Sequence, residues 1–308
     1  MNFEKKVFIG CFGGFFMTYE PREQVIVSLT GKNISEMKSQ TDEAIRRGAK
    51  VVELACDNVE EFREEQLDIQ GLRHLLFYRS GDVRKFIRFR KDEEAGICPG
   101  KGFGLRETHD NPNANEVMRL GYIHNSMKIV GANNSRFVFD VELSALEALG
   151  VMPLGFVPQI LATKHDFRNA LQKGAVRRVY RAFEETPGLW GMKFAAIARD
   201  YSEAVSSLQL SASHTGSRKL ISHSLGAYGA VTRILNLFYG SNFTYSCLDR
   251  KRASADGQIP FEETIKMIEE VKRWRPGSLR SADSLVGLDL DKYANRLGVH
   301  VSQLEEQI

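Results

Sequence analysis

The chain has 308 residues, 43% of them hydrophobic and 26% charged, with a formal net charge of +3. A chain of this size buries a large core without needing disulfides or a metal. The charge is too small and too evenly mixed to mark a nucleic-acid binder, and no apolar run is long enough to span a membrane.

The N-terminal stretch MNFEKKVFIGCFGGFFM imitates a secretory signal, but Glu4 lies among its lysines and no small-x-small cleavage site follows. It reads as a strand or hairpin turning at Gly13-Gly14, and a cytoplasmic protein is expected. From Gln24 onward an apolar strand, a polar break and an amphipathic helix recur. QVIVSLTG (24–31) is a strand, ISEMKSQTDEAIRRG a helix stopped by Gly48, and AKVVELAC (49–56) a strand carrying Glu53. HLLFYRS (74–80) reads as the third strand, ending in Arg79, and the charge-dense run Arg84 to Lys91 as a solvated helix face.

Between about Glu93 and Asn115 the alternation breaks into a long glycine- and asparagine-rich excursion. Its GKGFG lacks the strand-before, helix-after setting of a phosphate cradle. The rhythm resumes with a helix over 115–131 and the strands RFVFDVEL (136–143) and FVPQILATKHD (156–166), the latter ending in His165. A long helix from Phe167 leads to the strand WGMKFAAIARD, and YSEAVSSLQLSAS is helical. RKLISHS (218–224) is a strand, AYGAVTRILNLFYG a helix, NFTYSCLD (242–249) the last strand, and FEETIKMIEEVKRW (261–274) the last helix of the pattern.

About eight strands alternating with helices predict right-handed crossovers and a parallel sheet, and at this length a closed (β/α)8 TIM barrel. No dinucleotide fingerprint follows the first strand, which weighs against an open nucleotide-binding sheet. Residues 1–274 read as a single barrel domain and 275–308 as a C-terminal extension packing on it. The four cysteines, Cys11, Cys56, Cys98 and Cys247, form no C-x-x-C pair. Cys56 and Cys247 lie in apolar runs and are expected as buried free thiols, as in a reducing compartment. The seven histidines show no zinc-ligand spacing.

Barrels of this kind carry their chemistry at the C-terminal ends of the strands. By that rule the candidates are Glu53, Arg79, His165 and Lys193 on strands, Arg233 in the helix after strand seven, and Ser254 and Gln258 in the loop after strand eight. Lys193 is the pivotal one. A lysine held in an apolar strand either reaches solvent or sits desolvated, and a desolvated amine is the species that attacks a carbonyl.

The order and spacing of VSLTGKN, VVELACD, LLFYRS, FDVEL, KHDF, GMKFAAIA, SLGAYGAVTRI and KRASADGQI resemble the type I, Schiff-base 3-dehydroquinate dehydratases, from about Val25 to Glu270. The resemblance implies an imine between Lys193 and a ring ketone, with His165 as general base and then general acid. It further implies a substrate carboxylate on Arg233 and ring hydroxyls on Glu53 and Arg79, with Ser254 and Gln258 closing over them. The implied substrate is a hydroxylated cyclic keto acid of the shikimate pathway, with no metal or organic cofactor, and a homodimer is an expectation of the family.

Two departures stand out. The family's Glu-x-Arg-x-Asp is here Glu53-Leu54-Ala55-Cys56-Asp57, so an arginine is replaced by Ala55. After Arg79, where a glutamate that sets the histidine is expected, stand Gly81, Asp82 and Val83. The same imine chemistry on a related hydroxyketone, or a binding or sensor protein without catalysis, are therefore alternatives. A third is a serine hydrolase: SHSLGA imitates a nucleophile elbow at Ser224, followed by Asp249 or Asp289 and by His300 in triad order.

Overall fold

The computed structural model describes residues 20–62, 68–89, 125–131, 135–143, 146, 159–170, 180, 188–214, 216–274, 285 and 287–305. The Gly13-Gly14 hairpin, the 93–115 excursion with Cys11 and Cys98, and most of the helix expected after Phe167 lie outside the described residues.

Eight strands form one sheet: β1 (Val25–Leu29), β2 (Val51–Ala55), β3 (Arg84–Arg88), β4 (Phe137–Glu142), β5 (Gln159–Asp166), β6 (Leu189–Ile197), β7 (Lys219–Leu225) and β8 (Thr244–Cys247). They run in the order β7-β6-β5-β4-β3-β2-β1-β8, and every neighbouring pair is parallel. The ring closes between β7 and β8 through the segment before β8. There the Asn242 amide donates to the Leu220 carbonyl at 2.7 Å, and the Leu220 amide to Asn242 Oδ1 at 2.8 Å. This is the expected (β/α)8 barrel.

Helices α1 (Ile34–Arg46), α2 (Ile69–Phe77), α3 (Tyr201–Ala212), α4 (Ala230–Tyr239) and α5 (Phe261–Trp274) lie outside the ring. Their starts follow from capping side chains. Asn33, Asp68 and Asp200 accept from the amides of Glu36, Gly71 and Glu203, satisfying donors that the helix leaves unpaired. Beyond α5, α6 (Leu290–Leu297) packs on α3 and α4, and the Arg296 guanidinium lies 3.7 Å over the Trp274 ring. No helix among the described residues is long and apolar enough to cross a membrane.

The strands bury both faces, one against the helices and one inside the barrel. Inside, Ile26, Val51, Phe86, Val138, Leu161, Ile221 and Phe243 form an apolar floor with Trp190. The Phe86, Trp190 and Phe243 rings meet with centroids 5.6, 5.7 and 5.8 Å apart. Cys56 and Cys247 are buried free thiols, as expected.

The third strand is not where the sequence pattern put it. HLLFYRS is the end of α2 and the turn after it, with Leu72, Leu75 and Leu76 buried at helical spacing. The strand is instead Arg84–Arg88, in the run read as a solvated helix face. Its charges misled because both Lys85 and Arg88 are buried, at 0% and 3% exposure. Lys85 faces outward, and its Nζ donates to the carbonyls of Leu75 and Leu76, each at 2.8 Å, and of Tyr78. It thereby satisfies the carbonyls that α2 leaves open at its C-terminus. Burial pushes the Lys85 amine down to about 7.

Candidate active site

Above the apolar floor the barrel interior turns polar. On β6 the side chains alternate, so Met192 and Phe194 enter the core under the helices while Lys193 points inward. Lys193 is 2% exposed. Its Nζ lies 2.5 Å from Asp140 Oδ2 on β4, 3.9 Å from Glu53 Oε1 on β2, and 4.6 Å over the Tyr245 ring on β8. Burial raises the Tyr245 phenol well above its ordinary value, and the charges of Glu53 and Asp140 push the same way. Tyr245 therefore serves as a neutral wall.

His165 projects from the end of β5, two residues beyond Thr163, the register partner of Lys193. Its Nδ1 is hydrogen-bonded to Glu142 on β4, and its ring stacks on Phe167 with centroids 5.5 Å apart and planes at 8°. Among the described residues, Glu142 is the carboxylate hydrogen-bonded to the histidine. Asp82, one of the residues where the resemblance expects a glutamate, is exposed and pairs with Arg79 at 3.6 Å. Asp140 and Glu142 were visible in FDVEL as acids two apart on a strand, a spacing that puts both on one face.

Arg79 does not join the site. It sits in the turn after α2 with φ 55°, half-exposed, and its guanidinium pairs with Asp42 at 3.1 Å. The reason is the helix: α2 consumes the residues read as a strand, leaving Arg79 before β3 rather than at its C-terminal end. The buried guanidinium on the third strand belongs to Arg88. Its Nη1 donates to Glu53 Oε2 at 2.9 Å, while Nε and Nη2 donate to the two oxygens of Asp57 at 3.1 and 3.4 Å. Burial would lower its pKa, but Asp57 and Glu53 outweigh burial and hold it above the ordinary value.

Glu53 links this group to the loop after β8. Ser28 Oγ donates to Glu53 Oε2 at 3.3 Å, Gln258 Nε2 donates to Ser28 Oγ at 3.3 Å, and the Ser254 amide donates to Gln258 Oε1 at 2.8 Å. Gly257 permits the close seat of this loop. It has φ +72°, and a Cβ there would lie 2.2 Å from the Gly226 carbonyl oxygen. Arg233 on α4 lies beneath the same loop, 1% exposed, with Nη2 donating to the Asp256 carbonyl at 3.0 Å. Its Nε and Nη1 have no hydrogen-bond partner among the described residues, and burial lowers its pKa to about 10. A buried guanidinium with spare donors suits a carboxylate.

The serine elbow does not form. His223 points inward, its ring 5.9 Å from that of Tyr245, so Ser224 points outward to the helices. Ser224 Oγ donates to the Ala204 carbonyl at 3.4 Å, Asp249 and Asp289 are spent capping helices, and His300 is exposed. His223 and Tyr245 were not singled out in the sequence, where each is one polar residue in an apolar run. Among the described residues no three His, Cys, Asp or Glu side chains are grouped to hold a metal ion. What the interior offers is an amine among carboxylates, an imidazole set by a carboxylate, and two buried guanidiniums.

Known proteins share this fold and parts of its sequence. A sequence model of the type I 3-dehydroquinase family matches residues 127–272, which span β4 to α5. The 3-dehydroquinate dehydratase of Methanopyrus kandleri is 23% identical over 245 residues, covering 80% of this chain and 98% of that protein. That of Aquifex aeolicus is 30% identical over 115 residues, 37% of this chain and half of that protein. Among solved structures, the 3-dehydroquinate dehydratase of Geobacillus kaustophilus matches with a TM-score of 0.61 at 16% identity, covering 84% of this chain and 94% of that one. The type I enzyme of Clostridium difficile, solved with covalently modified comenic acid, gives 0.59 at 19% identity over 83% and 94%. The shared fold and the family match over the strands that carry Lys193 and His165 make this chain similar to the type I 3-dehydroquinases.

Proposed function

We propose that this protein dehydrates 3-dehydroquinate, or a closely related hydroxylated cyclic keto acid, through an imine on Lys193. The observation that carries this reading is the placement of the Lys193 amine, buried between Asp140 and Glu53 beside the strand that bears His165.

Lys193 sheds a proton, for which Asp140 at 2.5 Å is the nearest acceptor, and attacks the ring ketone. Loss of water from the adduct gives an iminium that acidifies the neighbouring carbon. His165 takes that proton. With Nδ1 committed to Glu142, the proton transfer falls to Nε2. The resulting enamine expels the hydroxyl, which leaves as water with the proton that His165 returns. A second water hydrolyses the imine and frees the amine, so the net change is loss of one water. Arg233, with two nitrogens unpaired among the described residues, holds the carboxylate, while Ser254 and Gln258 cover the ring from the β8 loop. Asp140, which sequence reasoning did not single out, joins Lys193 and His165 as a working group.

Incubation with 3-dehydroquinate and borohydride tests the reading. The expected result is a stable mass adduct on Lys193 together with dehydration in the absence of borohydride. Tight binding with neither adduct nor turnover would assign the barrel to ligand sensing instead.

A further inference from the structure

Ala55 and Arg88 are register partners on β2 and β3, so their Cα atoms lie side by side. Arg88 bonds Glu53 and Asp57, the residues two before and two after Ala55 in sequence. A guanidinium that grips both flanks of Ala55 must lie across it. The small methyl group at position 55 leaves that space, and both residues are buried there, at 0% and 3% exposure. A guanidinium has five N–H donors. Three of them are engaged by Glu53 and Asp57, which leaves one on each of Nη1 and Nη2 with no partner among the described residues. The Glu53 carboxylate connects this group to the reacting amine, with Oε2 2.9 Å from Arg88 Nη1 and Oε1 3.9 Å from Lys193 Nζ. Arg88 and Lys193 thus flank the same carboxylate.

We infer that Arg88 is the specificity-determining arginine of this site: from β3 it straddles Ala55 and donates to a ring hydroxyl of the substrate held on Lys193. The inference rests on the imine reading of Lys193 for the identity of the ring. A fixed, permanently charged fork suits a hydroxyl oxygen. A site built to bond a hydroxyl discriminates strongly against the ring that lacks it, because its donors are then left unpaired.

The test compares 3-dehydroquinate with an analogue lacking a ring hydroxyl, in the unaltered chain, in Arg88→Ala and in the relocated pair Ala55→Arg/Arg88→Ala. The unaltered chain is expected to discriminate between the two rings by roughly ten- to a hundredfold in kcat/KM. Arg88→Ala is expected to raise KM for 3-dehydroquinate by a similar factor and to lose the discrimination. Borohydride should still trap the adduct on Lys193 at saturating substrate. The relocated pair should recover part of the discrimination, which a purely structural role for Arg88 does not predict. An Arg88→Ala chain with unchanged KM and undiminished discrimination overturns the inference while leaving the dehydratase reading intact. If Arg88→Ala does not fold, the unaltered chain and the relocated pair still decide: equal kcat/KM for both rings, or a folded relocated pair with no discrimination, overturns it. No adduct in the unaltered chain sinks the dehydratase reading, and this inference with it.

Discussion

Two lysines in this barrel are buried to nearly the same extent among entirely different partners. Lys85 on β3 faces the helices, and Lys193 on β6 faces the interior, at 0% and 2% exposure. Lys85 is surrounded by backbone carbonyls, those of Leu75, Leu76 and Tyr78, and it completes the end of a helix. Lys193 is surrounded by carboxylates and an aromatic face, those of Asp140, Glu53 and Tyr245, at the level of the barrel where loops converge. Burial of a lysine is thus no mark of carbonyl chemistry. The face of the strand and the partners are what set the two lysines apart. Carbonyls can hold an ammonium but take no proton from it, whereas a carboxylate at hydrogen-bond distance can, as the proposed imine step requires of Asp140.

Substitutions sharpen this contrast. Lys193→Met should abolish the borohydride adduct and lower turnover by on the order of 10⁴-fold or more, measured with chain melting unchanged within a few degrees. A Lys193→Met chain that still dehydrates 3-dehydroquinate at near the original rate would break the comparison at its active end. His165→Ala should keep the adduct while slowing turnover by about 10²–10⁴-fold, because imine formation and proton abstraction are separate steps. Lys85→Met should do the reverse. We expect it to leave the Lys193 adduct intact and to cost about 1–3 kcal/mol in urea unfolding, as carbonyls at the end of α2 lose their donor.

The smallest effect belongs to a charge pair nearer the surface. Glu43 on α1 accepts from Arg252 at 2.7 and 3.0 Å, two residues before Ser254, and also from Arg47. The Arg252 hydrogen bond, against partial burial and with help from its charge and that of Arg47, holds the Glu43 carboxyl below its ordinary 4.5. A lowered folded value stabilises fully above the unfolded value and is lost as pH falls through the folded one. Glu43→Gln should therefore lower stability by about 1 kcal/mol or less near neutrality, and the difference should vanish in acid. Urea midpoints across that range would show a flatter pH dependence for the variant, and parallel curves would rule the pair out as a stabilising contact.

Most of the alternation was legible because strands such as VIVSL and helices such as FEETIKMIEEVKRW carry their own period and composition. β3 was not, since a strand with the sequence RKFIR has the composition of a surface, and its burial depends on partners distant in sequence. Asp57 lies 31 residues from Arg88, and Glu53 lies 35. The same shift moved the site's buried guanidinium from Arg79 to Arg88. It also sets a buried guanidinium on the adjacent strand beside Ala55.

The sequence by itself determined the barrel, the strand that carries Lys193, the strand end that carries His165 and the loop that carries Ser254 and Gln258, because local periodicity and spacing encode which element a residue occupies. Only the tertiary structure decided which charges stand together. Glu142 on His165, Asp140 on Lys193 and Arg88 across Ala55 are pairings between neighbouring or opposed strands. A buried charge is stable only with such partners, and the identity of those partners is set by register and closure of the sheet rather than by any local run of residues.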